Sequence, residues 1–260
     1  MISKPFLGLD CANKTLAWSH VIIDLNIIQK LEILTNYMLK LLNDSCGFDV
    51  IGDLQPKQKD VFRQVLREQM ISIDAWLDQL QVAMSGFITY NSLGVKDVLN
   101  GKKVKDVSEV NRTKMLWEFL TTKLPAESLE PDITVVIERQ NKIANITNAQ
   151  STAVSHQLMF YYVNNNPVFI DPKNKNKLVL GPGLTLERFI AEEMPKRKNP
   201  QDAKYSARKK HAKFNWLFML DSFGLNHVLK GIPKPCYDDV ADSTMEIFAY
   251  LQSNKLLVNY

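Results

Sequence analysis

The chain has 260 residues, of which 45% are hydrophobic and 23% are charged, and its formal net charge is +4. These values are close to those of an ordinary soluble globular protein of one or two domains, and the small positive charge permits nucleic-acid binding without requiring it. Three scattered cysteines exclude a disulfide framework and a cysteine zinc site, and no apolar run is long enough to span a membrane. The first residues contain no signal or transit segment, so we expect an intracellular protein with no membrane partner.

Two short apolar runs near the N-terminus predict strands. Residues 6–10 form a buried-strand pattern that ends in the carboxylate of Asp10, and a tight turn leads to a second strand at 16–23. The stretch 31–42 is ambiguous, and we interpret it as a strand at 30–35 followed by a helix. A carboxylate that ends a buried strand must meet water, a partner or a cation.

Residues of about 44–130 are predicted to form a helical insert. Apolar residues recur at three- and four-residue steps from Lys59 to Met84, which indicates an amphipathic helix. Ser108 can cap a second helix from Glu109 to Thr122. The Lys-rich stretch 91–107 between them is typical of a loop with a short turn of helix.

The second half of the chain alternates strands and helices. The pattern predicts strands at 133–138, 168–170 and 178–180, and helices at 147–163, 203–221 and 239–251. The chain therefore begins with consecutive strands and continues with alternating strands and helices. This order predicts an α/β fold with a mixed β-sheet flanked by helices.

Carboxylates end two of these strands and open the last helix. Asp10 and Glu138 are the strand-end acids, while Asp239 and Asp242 lie three residues apart on one helix face, with Asp238 as a competitor for the same role. Taken singly, each acid has an ordinary explanation as a loop residue, a surface ion pair or a helix cap. If they meet in space, they form a site for hard divalent cations, and two such ions about 3.5–4 Å apart can hydrolyse a phosphodiester.

A basic segment precedes the last helix. Eight Lys and Arg side chains fall within residues 196–213, against the single acid Asp202. Such a run can contact phosphates, or it can simply be a solvated helix face.

Four motifs, taken in this order, resemble the RuvC-like Holliday junction resolvases of the RNase H-like superfamily. They lie at residues 8–18, 136–140, 204–210 and 238–243, and the resemblance is closest to the poxvirus and large-DNA-virus branch, to which fungal mitochondrial resolvases are related. The resemblance implies a single RNase H-like nuclease domain over 1–260, with 44–130 inserted in it. It further implies a magnesium-dependent endonuclease, which manganese would also support, that resolves four-way DNA junctions as a homodimer by paired symmetric cuts.

The resemblance also implies roles for individual residues. The catalytic acids and ligands of two metal ions would be Asp10, Glu138, Asp239 and Asp242, with Asp10 bridging both ions. A lysine near the scissile phosphate would be Lys209 or Lys210, and the sequence leaves that choice open. Contacts with DNA are expected from Lys14, Arg139, Gln140, Lys142, Lys204, Arg208 and Lys213.

Other functions stay open at this point. An RNase H-like nuclease could instead cut other branched DNA or RNA–DNA hybrids, and a non-catalytic junction-binding protein is a third hypothesis. No small-molecule cofactor is expected, because the chain has few glycines for a phosphate-binding loop. A viral protein of this kind would act in the host cytoplasm or nucleus, where viral DNA is processed.

Overall fold

The computed structural model describes residues 3–12, 14–48, 54–68, 86–124, 131–140, 146–180, 184–254 and 256. The strands in this part of the chain are β1 (Ser3–Cys11), β2 (Thr15–Asp24), β3 (Ile88–Asp97), β4 (Thr134–Glu138) and β5 (Val168–Ile170). The α-helices are α1 (Leu25–Cys46), α2 (Pro56–Glu68), α3 (Glu109–Thr122), α4 (Ile146–Tyr161), α5 (Pro172–Lys175), α6 (Leu186–Glu193), α7 (Pro200–Ser222) and α8 (Tyr237–Ser253).

The five strands form one mixed sheet in the order β3-β2-β1-β4-β5. Strands β1 and β4 are parallel, with Leu9 opposite Ile137, and β4 and β5 are also parallel. The connection between β1 and β2 is far too short for a parallel crossover, so these strands form an antiparallel hairpin, closed by the Ala12 N–H donating to the Thr15 carbonyl at 2.9 Å. The prediction of a mixed α/β sheet flanked by helices is therefore confirmed. The carboxyl ends of the parallel strands β1, β4 and β5 lie at the same edge of the sheet.

One face of the sheet packs on helices α3 and α4. Leu7 and Leu9 of β1 and Val135 and Ile137 of β4 alternate along their strands and are fully buried on this face. They meet apolar side chains of α3 and α4, among them Leu116, Phe119, Leu120 and Leu158. Helix α3 has the bounds that the sequence predicts, and the Ser108 side chain accepts a hydrogen bond from the Asn111 N–H at its start.

Helix α8 covers the other face, at very close range. A Cβ at Gly8 of β1 would lie 2.0 Å from the backbone carbonyl oxygen of Ser243, so only glycine fits between the strand and the helix. On β2, the Ser19 hydroxyl contacts the hydroxyls of Ser243 and Thr244 at 2.8 and 2.7 Å. Strand alternation places Asp10 on the same face of β1 as Gly8, and therefore beside α8.

Three predicted elements differ from the observed ones. The predicted strand at 30–35 is wrong: these residues lie within α1, which begins at an Asp24 cap and ends at Gly47 with φ of +70°. The stretch 91–107 is not all loop, because β3 runs to Asp97. As an edge strand β3 is only partly buried, so it shows weak apolar alternation. The predicted short strand at 178–180 has no regular structure.

The chain divides into two compact units. The larger unit contains residues 4–23 and 89–260, and the smaller one contains 1–3 and 24–88. The long segment of the smaller unit runs from Asp24 to Ile88, whereas the predicted insert ran from 44 to 130. Helix α2 covers the first part of the helix predicted at 59–84, and residues 69–84 lie outside the described residues.

Candidate metal centre

Strands β1 and β4 bring Asp10 and Glu138 together. Asp10 is the penultimate residue of β1 and Glu138 is the last residue of β4. Because Leu9 lies opposite Ile137 in this parallel pair, the two acids that follow are neighbours at the carboxyl edge of the sheet. Their side chains are 17% and 16% exposed, so both carboxylates are largely removed from water.

Helix α8 adds three acids along one side. Asp239, Asp242 and Glu246 are spaced three and four residues apart, which aligns them on one helix face. Glu246 is fully buried, and carboxylate oxygens of Asp10, Glu138 and Glu246 all lie within 4.8 Å of one another. We call Asp10, Glu138, Asp239, Asp242 and Glu246 the acid cluster. It contains the four predicted acids and one that the sequence analysis missed.

Glu246 left a signal that could have been found. It is a charged residue within a run of α8 that is buried from Val240 to Ala249. It lies four residues after Asp242 and on the same helix face. A buried carboxylate without a cation is costly, so its position next to predicted ligands was informative. Within the described part of the chain, neither of its carboxylate oxygens accepts a hydrogen bond.

Lys175 places its ammonium group among the acids. It ends the short helix α5, which follows β5, and its side chain is only 9% exposed. The Lys175 Nζ lies 2.7 Å from Glu138 Oε2, 2.8 Å from Asp242 Oδ1 and 3.7 Å from Glu246 Oε1. This lysine is not among the residues predicted from the sequence, because nothing in its local pattern indicates burial.

Lys209 of α7 supplies a second ammonium group. Its Nζ lies 2.5 Å from Asp242 Oδ2, 3.2 Å from Asp239 Oδ1 and 3.8 Å from Asp10 Oδ2. Of the two candidate lysines, therefore, Lys209 contacts the acid cluster. Lys210 instead donates to Glu193 Oε1 at 2.6 Å.

Burial and mutual repulsion shape the charges of the cluster. Burial, helped by the neighbouring Glu138 carboxylate, raises the pKa of Asp10 to about 7. Burial also raises the pKa of Glu246 well above its usual value. For Asp242 burial acts in the same direction, but the ammonium groups of Lys175 and Lys209 outweigh it and hold the pKa of this carboxyl below its usual value. Among the described residues, Lys175 and Lys209 therefore offset the charge of Asp242 more than that of Asp10 or Glu246.

The acid cluster opens into a cleft of about 490 Å³. Its lining includes Asp10, Glu138, Asp239, Asp242, Lys175, Lys209, Gln140, Tyr205 and Arg208. Tyr205 is 63% exposed and lies on α7 one turn before Lys209. An anionic ligand could therefore meet both cationic and aromatic side chains beside the acids.

The predicted DNA-contacting residues have different surroundings. Gln140 and Arg208 line the cleft, and the Gln140 side-chain amide donates to the Cys11 carbonyl at 3.2 Å. Lys14 pairs with Asp97 and Lys213 with Asp238, each at 3.0 Å. Arg139 lies over the Phe169 ring at 5.9 Å, Lys204 is exposed, and Lys142 lies outside the described residues.

The residues present fit a hard divalent cation. Carboxylate oxygens are the ligands that Mg²⁺ and Mn²⁺ prefer, and here they come from three separate elements, β1, β4 and α8. Asp10, Glu138 and Glu246 could hold one ion between them, and Asp239 and Asp242 provide further oxygens in the same cleft.

Comparisons with protein-family models, with curated proteins and with solved structures found no match to this chain. Among the helices that the structure describes, none has the length and apolar character needed to cross a membrane.

Proposed function

We propose that the protein is a magnesium-dependent DNA endonuclease of the RNase H-like type that resolves four-way junctions. One observation carries the proposal: acids from β1, β4 and α8 meet beside two lysines in one cleft. The mixed sheet, built from a hairpin followed by parallel strands, is consistent with an RNase H-like fold. The order of the four sequence motifs supports the junction-resolving branch of that superfamily.

The chemistry follows from the ligand set. When bound, divalent ions supply a hydroxide at neutral pH and neutralise charge on a phosphodiester. Asp10, Glu138 and Glu246 would hold one ion, and Asp239 and Asp242 would contribute to a second. The resemblance implies the bridging role for Asp10, and Asp242, whose two oxygens contact Lys175 and Lys209, would contribute beside it.

The substrate would be bound by the exposed side of α7. Arg208 and Tyr205 lie on the cleft, and exposed Lys204 precedes them on the same helix. Contacts of this kind are made with the phosphate backbone, and they give binding that depends on salt concentration and on the shape of the DNA. The four-way junction as substrate and the homodimer are both implied by the family resemblance. A homodimer fits this substrate because two symmetric cuts require two active sites related by a two-fold axis.

The test is cleavage of a labelled four-way junction in magnesium, compared with linear duplex and with an RNA–DNA hybrid. Asp10→Asn and Asp242→Asn should lose cutting by at least about a hundredfold while still binding the junction, since each removes a ligand without changing shape. Asp132→Asn, which removes an exposed acid outside the cleft, serves as the matched control.

Each alternative result points elsewhere. Cutting of the hybrid in preference to the junction would assign an RNase H-like activity on other substrates. Tight junction binding without cutting, in magnesium and in manganese, would assign a non-catalytic junction-binding protein.

A further inference from the structure

The acid cluster already contains two cations of its own. Lys175 contacts Glu138, Asp242 and Glu246, and Lys209 contacts Asp10, Asp239 and Asp242. Each ammonium group therefore sits among three carboxylates, and the two positions share Asp242. Lys175 therefore contacts two of the three acids, Glu138 and Glu246, that could hold one ion together with Asp10.

An ammonium group and a metal ion compete for the same oxygens. The Glu138 oxygen that accepts from Lys175 belongs to a residue that would hold an ion together with Asp10 and Glu246. A cation at that place would lie close to the Lys175 ammonium, at a side chain with little exposure to screening water. Glu246 independently points to a cation: it is fully buried, neither of its oxygens accepts a hydrogen bond from the described residues, and the Lys175 Nζ lies 3.7 Å from its Oε1.

We propose that Lys175 and Lys209 are resident counter-cations of the acid cluster, and that a divalent ion binds by displacing Lys175 from Glu138 and Glu246. This inference rests on the metal-binding part of the proposed function. Lys175 also lines the cleft, so its ammonium group can withdraw into that space without leaving the site. The lysines thus hold the buried carboxylates together in the metal-free protein and set how tightly the metal binds.

The experiment compares Mn²⁺ binding and thermal stability of the full chain and of Lys175→Met. Removing the competing charge should tighten Mn²⁺ binding by about tenfold or more in isothermal titration calorimetry. In EDTA the variant should melt at a lower temperature than the wild type, because the carboxylates lose their counter-ion. Addition of Mn²⁺ should therefore raise its Tm by more than it raises that of the wild type.

Lys210→Met is the matched control. It makes the same Lys-to-Met substitution at the residue after Lys209 on α7. The ammonium group of Lys210 pairs with Glu193 and not with the acid cluster. Its Mn²⁺ affinity should equal that of the wild type. If Lys175→Met does not fold, Lys209→Met provides the same test at the more exposed lysine, and it should also bind Mn²⁺ more tightly.

Two outcomes would overturn the proposal, and they differ in whether the metal centre itself is also excluded. Wild-type binding of Mn²⁺ with equal or weaker binding by both lysine variants would overturn the counter-cation role and leave the metal centre intact. No binding of Mn²⁺ by the wild type or by either variant would overturn both this inference and the metal-dependent function.

Discussion

At the scale of single residues, the candidate site is defined by unequal pairing of charges. Asp242 contacts two ammonium groups, whereas Glu246, one helical turn deeper, has one distant cation at 3.7 Å. Glu193 shows the opposite situation outside the cleft. It is buried, and it is surrounded by Lys196, Lys210 and the Ser206 hydroxyl. Among the described residues, the carboxylate of Glu193 is therefore better paired than that of Glu246, which leaves Glu246 available to bind a cation.

We expect Glu246→Gln to weaken metal binding without lowering the stability of the metal-free protein. The substitution removes a ligand charge next to Asp10 and Glu138, and it also removes the cost of a buried carboxylate. The Tm in EDTA should stay the same or rise, and the increase in Tm on adding Mn²⁺ should shrink. Glu118→Gln, at an exposed acid of α3, should leave both values unchanged. An undiminished response to Mn²⁺ in Glu246→Gln would show that Glu246 is not a ligand.

We expect Glu193→Gln to lower the free energy of unfolding at neutral pH, and we expect this loss to be smaller at acidic pH. Hydrogen bonds from Lys210, Ser206 and Lys196 lower the pKa of Glu193 to about 2, from an ordinary value of 4.5. A depressed pKa stabilises the folded state above pH 4.5, and this contribution is lost as the pH falls toward 2. Urea unfolding of both proteins between pH 7 and pH 2.5 should show the difference in midpoint narrowing below pH 4.5. A difference that stayed constant with pH would contradict this assignment.

At the scale of secondary-structure elements, the contact between β1 and α8 positions the acids. Gly8 permits the Ser243 carbonyl to approach the strand, and this brings Asp242 to the level of Asp10. Lys209 then comes from α7, and Lys175 from the end of the short helix α5. The register of one helix on one strand therefore decides whether the cluster assembles.

We expect Gly8→Ala to reduce stability by about 1–3 kcal/mol and to weaken Mn²⁺ binding, because α8 must move away from β1. The new Cβ would meet backbone, which cannot rotate away. Gly94→Ala is the control. Gly94 lies on β3, a strand that contributes no acid to the cluster, and its new Cβ would meet the Trp18 ring of β2 at 2.7 Å. It should lower the Tm and leave Mn²⁺ affinity unchanged. Equal effects of both substitutions on Mn²⁺ affinity would contradict a specific role of the β1–α8 contact.

At the scale of the whole molecule, the acid cluster and both lysines belong to the larger of the two units. In the smaller unit, residues 24–88 with 1–3, the two ends of the segment 24–88 lie close together in space. The Asp24 N–H donates to the Phe87 carbonyl at 3.0 Å. All the described acids and lysines of the candidate metal centre therefore come from the larger unit.

We expect a chain in which a short Asn-Gly turn replaces residues 25–86 to fold and to bind Mn²⁺ with wild-type affinity. The short distance between Asp24 and Phe87 lets such a turn join β2 to β3 as a hairpin. Calorimetry and thermal unfolding would test this, and the same chain carrying Asp242→Asn would serve as the non-binding control. A folded chain without Mn²⁺ affinity would show that the smaller unit contributes to the site.

The sequence by itself determined the elements with strong local signals and the acids that follow them. Strands β1, β2, β4 and β5 and helices α3, α4, α7 and α8 could be predicted because period, caps and β-branched runs are local properties. Asp10, Glu138, Asp239 and Asp242 could be picked out because each stands at the end or the start of such an element. The structure brings all four into one cleft.

Only the tertiary structure decided the rest, because the missing information lies in contacts between distant residues. Strand β3 is stabilised by pairing with β2 and not by its own pattern, and α1 covers a stretch that locally favours a strand start. Lys175 gains its significance only when α5 packs on α8, since burial, not residue type, makes its charge informative. The same packing separates Lys209 from Lys210, because adjacent residues on a helix point about 100° apart, one toward the acid cluster and the other toward Glu193.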